Sequence, residues 1–214
     1  MTSLAPASRP LVLVDRVFPR SVVTNILLVL AGTGLVALCA QIVIPTWPVP
    51  ITMQTFAVLF VGTVLGPARG VVSIGLYLVL GIAGLPIFAE GKSGDLFALT
   101  SGGFIIGFIA AAAVVGWLAN LKWDRHVLKT FVSFFAGTVI IYAFGLSWLY
   151  FSLQNLGPEV WQAGGGTVLA ATIAWGLTPF LIGDAAKAIA AALLLPGTWK
   201  LIGEKRKPRD AAEG

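Results

Sequence analysis

"TPFLIGDAAKAIAAALLLPG", residues 178–197, is a membrane-helix sequence with an acid and a base set into it. Asp184 and Lys187 stand three positions apart, and on a helix such positions share a face. With Pro179 in the first turn, where proline is tolerated, a rise of about 1.5 Å per residue puts both roughly 8–12 Å below the helix's outer end. A charge facing lipid at that depth costs several kcal/mol, so both side chains must face protein or a water-accessible cavity. Three roles satisfy this requirement. One is an internal salt bridge that holds helices together. Another is a ligand site, with Lys187 for a carboxylate and Asp184 accepting from N–H donors. The third is a proton relay.

Composition sets the class around that helix. Of 214 residues, 57% are hydrophobic and 11% charged, and the mean hydropathy is +0.93. A soluble domain carries about 25% charged residues, so the chain reads as an all-α integral membrane protein. Spans are expected at about 21–44, 51–65, 71–84, 101–119, 127–151 and 178–200. This gives a six-helix membrane domain over residues 21–202, with tails at 1–20 and 203–214. The second and third spans are short for a bilayer that needs about 20 residues per helix; a re-entrant pair joined by Gly66–Gly70 is the alternative. The stretch 154–177 reads as a loop with a short helix. The apolar segment 21–44 is too long for the core of a cleavable leader and reads as the first span.

Charge orients the bundle. Every lysine and arginine except Lys92 and Lys187 falls in the N-terminal tail, the 66–70 turn, the 120–130 loop or the C-terminal end. All of these lie on one side of a six-span arrangement, so the positive-inside rule makes both termini cytoplasmic. The same rule accounts for the net charge of +5 without a nucleic-acid partner. Cys39 is the single cysteine, which excludes a disulfide framework.

Two further stretches carry polar groups. In "PVPITMQTFAVLFVGTVLGPARG", residues 48–70, Trp47 and the prolines make a rigid outer loop, and Thr52, Gln54 and Thr55 then enter a helix from outside. A glutamine in a span either bonds a neighbouring helix or presents its amide to a ligand. In "GLYLVLGIAGLPIFAEGKSGDLFALTSGGFIIGF", residues 75–108, the outer loop at about 85–100 mixes glycines with Phe88 and Phe97, as lids and binding loops do. Its "EGKSG" imitates a phosphate-binding loop, but Pro86 stands where that motif requires glycine, so nucleotide hydrolysis is not expected. His126 has no neighbours at metal-ligand spacing, and no nucleophile–base set or paired acids emerge. Neither enzyme activity nor a cofactor or metal is expected. In the first span Gly32, Thr33, Gly34, Ala37, Cys39 and Ala40 form a small-residue strip, suited to packing within the bundle or to docking another membrane protein.

Four stretches taken in order carry a resemblance: residues 48–70, "LYLVLGIAGLPIFAEGKSG", "TSGGFIIGF" and "PFLIGDAAKAIAAALL". They resemble the signatures of BioY, the biotin-binding membrane component (S component) of energy-coupling factor (ECF) transporters, over about residues 45–197. The resemblance implies six helices whose outer loops close over biotin with high affinity, in a bacterial or archaeal cell membrane. It also implies partners: a membrane coupling protein and a pair of cytoplasmic ATPases. The family's acid and lysine map onto Asp184 and Lys187. Biotin offers a carboxylate at one end, a ureido ring with two N–H donors and one acceptor at the other, and apolar surface between. Which residue meets which end stays open, because Asp184 and Lys187 also suit one another. Thr52, Gln54, Tyr77, Phe88, Glu90, Gly103 and Phe104 are expected to complete the pocket. S components commonly meet the coupling protein through two alanines four apart in the first helix. Here Gly32, Thr33, Ala37 and Ala40 offer that spacing without two alanines. The rival reading is a proton-coupled secondary carrier for a small carboxylate or vitamin, with Asp184 as proton site, although no repeated halves are visible.

Overall fold

The computed structural model describes residues 12–204. Its elements are α1 (Val14–Val17), α2 (Val22–Gln41), β1 (Val43–Ile44), β2 (Ile51–Thr52), α3 (Gln54–Leu65), α4 (Pro67–Ile82), α5 (Gly102–Asn120), α6 (Val127–Leu156), α7 (Pro158–Gln162), α8 (Val168–Gly176) and α9 (Leu181–Glu204). Helices α2, α5 and α6 and the stretch 168–202 are long and apolar enough to cross a membrane, whereas α3 and α4 are shorter apolar helices. One end of the bundle gathers Arg20, Arg69 and Asn120 around the α3–α4 turn. The opposite end, outer in the charge-based topology, holds the β1–β2 hairpin and the 83–101 loop.

Local chemistry explains where the elements begin and end. Ser21 caps α2, its Oγ accepting from the Thr24 amide at 3.0 Å. The helix stops at Gln41, short of the expected 44, because Ile42-Val43-Ile44 is β-branched and precedes Pro45, which disfavours helical backbone before it. That segment instead pairs antiparallel, Val43 with Thr52 and Ile44 with Ile51. Helix α4 starts at Pro67, ahead of the expected 71. Gly66 supplies the turn at φ +83° and the proline sits in the first helical turn. This turn reaches the basic end instead of folding back at the outer one. Helix α6 runs to Leu156, past the expected 151, and stops where Gly157 takes φ +95° before Pro158. Residues 154–177 then hold two short helices, α7 and α8, where one was expected.

Helix α3 is the centre of the bundle. Nine of its twelve residues are buried, and small residues bring its neighbours close. A Cβ on Gly62 would lie 2.7 Å from the Ala112 carbonyl oxygen, and one on Gly116 would lie 2.6 Å from the Pro67 nitrogen. Twelve residues rise about 18 Å against a hydrocarbon core of about 30 Å. The depth missing above the start of α3 is occupied by the hairpin, the 83–101 loop and a cavity. The shortness noted in the sequence is therefore what makes room for a site.

The small-residue strip of α2 is used inside the chain. Gly32, Thr33 and Ala40 are buried and Ala37 is half-buried. The Thr33 hydroxyl donates to the Ser73 carbonyl oxygen at 2.9 Å, and a Cβ on Gly32 would lie 2.7 Å from Ser73 Oγ. Helix α4 thus packs on Gly32 and Thr33 of the strip, while Gly34 and Ala37 stay half-buried. The outward face of α2 is instead a row of large apolar side chains, among them Ile26, Leu27, Leu30 and Leu38.

At the basic end, residues 12–20 of the expected tail fold onto the bundle. Val12 and Val14 are buried, and Asp15 bridges Arg20 at 2.8 Å and Arg69 at 2.6 Å. Burial raises the Asp15 carboxyl, but hydrogen bonds and charge from Arg20 and Arg69 outweigh it and hold the group below the usual carboxylate range. Trp199 of α9 donates its Nε1–H to Asp124 Oδ2 at 2.5 Å, and the Arg125 guanidinium lies 4.0 Å over the same indole. Burial pushes the Asp124 carboxyl up. Residues 1–11 and 205–214 of the expected tails lie outside the described residues.

Candidate ligand-binding site

A narrow cavity of about 40 Å³ opens at the outer end above α3, short of the 300–1,000 Å³ of small-molecule pockets, so a ligand of that size needs its walls to part. Its polar wall comes from Thr52, Gln54 and Thr55 at the start of α3, Ser101 before α5 and Tyr142 of α6. Its apolar wall is Val49, Pro50, Phe88, Leu99, Phe104, Ile105, Phe108 and Phe180, and Lys92 supplies a cation at the loop side. The Phe104 and Phe180 rings stack with centroids 6.4 Å apart, and Tyr142 meets Phe104 edge-on at 6.5 Å.

Asp184 and Lys187 sit one hydrogen bond behind this wall, on the first turns of α9. Lys187 Nζ donates to Asp184 Oδ1 at 2.9 Å, to Thr55 Oγ1 at 2.8 Å and to the Thr52 carbonyl oxygen at 2.9 Å. The Thr55 hydroxyl donates to Asp184 Oδ1 at 3.1 Å and the Tyr142 hydroxyl to Asp184 Oδ2 at 2.5 Å. Both charges are nearly sealed, with side-chain exposures of 6% for Asp184 and 12% for Lys187. The sequence left the pair facing either protein or a cavity, with a ligand-binding role expected. The structure places it behind Thr55 and Tyr142, because the charges satisfy one another first. Each hydroxyl has its proton committed to Asp184, so the lone pairs of Tyr142 and the one lone pair of Thr55 not taken by Lys187 are what remains for an incoming donor. Lys187 also borders a second, largely apolar groove of about 480 Å³ between the hairpin and α9, lined by Ile42, Ile51, Phe56 and Ala186 among others.

The other expected residues divide by position. Thr52, Gln54, Phe88 and Phe104 line the cavity. Tyr77 stands behind the wall, its hydroxyl accepting from Gln54 Nε2 at 2.7 Å and its ring meeting Phe88 edge-on at 5.5 Å. Thr52 Oγ1 donates to Gln54 Oε1 at 3.1 Å, so the Gln54 amide is fixed from both sides. Glu90 does not reach the cavity wall; it takes φ +61° in a loop turn and pairs with Lys92 at 2.6 Å. Gly103 is a packing residue: a Cβ there would lie 2.2 Å from the Trp148 Cβ and 2.6 Å from the Phe144 carbonyl oxygen.

The loop that roofs the cavity is tied at three points. Gln41 at the end of α2 donates to the Phe88 carbonyl oxygen at 3.1 Å and accepts from the Gly91 amide at 3.2 Å. Thr100 donates to the Pro48 carbonyl oxygen of the hairpin, and Trp148 Nε1 to the Leu99 carbonyl oxygen at 3.0 Å. Sequence reasoning missed Tyr142, Phe180, Ser101 and Lys92 as wall residues. Tyr142 carried a usable signal, since a phenol inside the apolar run "VIIYAFG" needs a hydrogen-bond partner when buried.

The sequence matches the BioY family over residues 9–204. The chain belongs to the BioY family. Among its relatives, the biotin transporter BioY of Thermotoga maritima is 35% identical over 163 residues, 76% of this chain and 88% of that protein. The biotin transporter BioY of Rhizobium etli is 36% identical over 155 residues, 69% and 76% of the two chains. A solved structure is also similar: the crystal structure of the S-component for biotin from an ECF-type ABC transporter. It superposes with a TM-score of 0.68 at 25% identity, covering 83% of this chain and 92% of that one. The fold is thus that of an ECF S component, and this BioY-family chain is a multi-pass membrane protein.

Proposed function

We propose that the chain captures biotin at the outer cavity, which widens to admit it, and serves as the substrate-binding component of an ECF-type biotin importer. The observation that carries the assignment of the site is the pair of cavity hydroxyls, Tyr142 and Thr55, whose protons are accepted by the buried Asp184 carboxylate, itself paired with Lys187. Oriented acceptors suit a ligand that brings two N–H donors, as the ureido ring does. The second N–H of the Gln54 amide and the Ser101 hydroxyl are the donors available for the ureido carbonyl. Phe88, Phe104 and Phe180 supply apolar surface for the fused rings and the alkyl chain, in the manner of small-molecule sites that are mostly apolar with few placed polar groups. With the ring at that depth, the carboxylate points toward Lys92 beneath the loop.

Asp184 and Lys187 act here as positioning residues. Their charge sets which way Thr55 and Tyr142 present their oxygens, and their burial removes competing water. Uphill import needs an energy source, and the chain's only phosphate-loop-like stretch lacks the required glycine at Pro86. Either a partner ATPase or an ion gradient could supply the energy, and the resemblance to BioY implies a membrane coupling protein and cytoplasmic ATPases on the side of the basic end. Equilibrium binding of radiolabelled biotin to the purified protein tests the site: Tyr142→Phe and Thr55→Val should each weaken it, and unchanged affinity in both would remove the assignment. Uptake in cells that survives a protonophore but stops without the ATPase partners would separate this reading from a proton-coupled carrier.

A further inference from the structure

At the basic end a cleft of about 530 Å³ lies between α1, the starts of α2 and α4, and the end of α5. It has no part in the outer site. Its polar lining includes Asp15, Arg20, Asn25, Arg69 and Asn120, with Val22 and Leu65 as apolar walls. Two guanidinium groups here face one carboxylate, so the cluster keeps a net positive charge after Asp15 has been satisfied. Among the described residues, Arg69 Nη1 is buried without a hydrogen-bond partner, while its Nη2 is committed to Asp15. A buried guanidinium N–H left unpaired is costly, and an added acceptor at the cleft would relieve it. Arg20, by contrast, keeps 43% of its side chain exposed while one guanidinium nitrogen bonds Asp15.

We infer that this cleft binds the phosphodiester headgroup of an anionic phospholipid. Three features favour a lipid over a soluble anion. The cleft lies at the basic, surface end of the bundle, where headgroups sit. Arginine forks match phosphate oxygens in pairs. The rim then continues into outward apolar side chains, Phe18, Val22, Val23 and Val72, along which acyl chains can lie. Basic pockets between membrane helices on the cytoplasmic side bind acidic headgroups by this logic. Arg69 belongs to the "GPARG" turn, a stretch that the biotin site does not use.

Native mass spectrometry of the full-length protein, released from detergent containing phosphatidylglycerol or phosphatidylcholine, reads the site directly. The parent should retain phosphatidylglycerol in preference to phosphatidylcholine. Arg20→Gln should cut that retention about fivefold, the worth of one cation at a membrane surface. Asp15→Asn should raise retention, because it removes the competing carboxylate. Biotin affinity, measured on the same preparations, should not change in Arg20→Gln, which also reports that this exposed-site variant is folded. Equal retention of both lipids, or loss of retention in Asp15→Asn, would overturn the proposal and leave the cleft to an acidic protein partner. Displacement of the lipid by inorganic phosphate alone would overturn it in favour of a soluble anion.

Discussion

Replacing Lys187 alone and replacing it together with Asp184 should have different effects on stability and on binding. Lys187→Met leaves Asp184 buried at 6% exposure with no counter-charge, and breaking such a pair costs about 3–5 kcal/mol. The double variant Asp184→Asn, Lys187→Met removes both charges from the same space. Replacing a buried ion pair with neutral groups of similar volume is often neutral for stability, so most of the loss should return. Binding should not return with it. Thr55 and Tyr142 lose the anion that holds their protons, and their oxygens no longer face the ligand by default. Losing that orientation at both hydroxyls removes about 2–3 kcal/mol, or roughly 30- to 150-fold in Kd. Thermal melting follows the first effect and equilibrium dialysis with radiolabelled biotin the second. If the double variant recovers both stability and affinity, the pair is architectural and the positioning role is refuted.

Other outcomes follow from single contacts. Lys92→Gln should weaken biotin by a few-fold, given that Lys92 is half exposed, but leave the neutral biotin amide unaffected; competition binding compares the two. Gly103→Ala pushes a methyl into Trp148 and the Phe144 carbonyl, so it should cost about 1–3 kcal/mol of stability, read as a lower melting temperature. Asp15 has a lowered folded pKa, so its contribution is complete above the unfolded carboxylate value of about 3.9 and disappears as pH falls through the folded value. Asp15→Asn should therefore flatten the acid limb of a stability-versus-pH curve, and an unchanged limb would contradict the bridge to Arg20 and Arg69.

The class and the order of the helices were legible because scarce charge and long apolar runs admit few alternatives. Helix ends were legible where they had local causes, such as Gly66-Pro67, yet the boundary was still set four residues late because Pro67 opens a helix as well as closing a loop. The β1–β2 hairpin escaped because its strands are two residues each, too short for alternation to show. At the site, the sequence singled out Asp184 and Lys187 because charge in a membrane helix stands out. It offered their mutual pairing as one of three roles but did not reveal the hydroxyls that complete the cluster, since Thr55 and Tyr142 lie 129 and 42 positions from Asp184. Gly103 looked like a binding glycine in "TSGGF", but whether a missing side chain admits a ligand or a neighbouring helix is decided only by what packs there. The same ambiguity left the α2 strip open between packing and docking, and part of it packs on α4 of the same chain.

A crystal structure of the protein with biotin bound tests the central claim most directly. The account predicts the ureido nitrogens within hydrogen-bonding distance of the Tyr142 and Thr55 oxygens, with the Asp184–Lys187 contact intact behind them. Biotin found instead in the groove between the hairpin and α9, or lying against a Lys187 that has separated from Asp184, would contradict it.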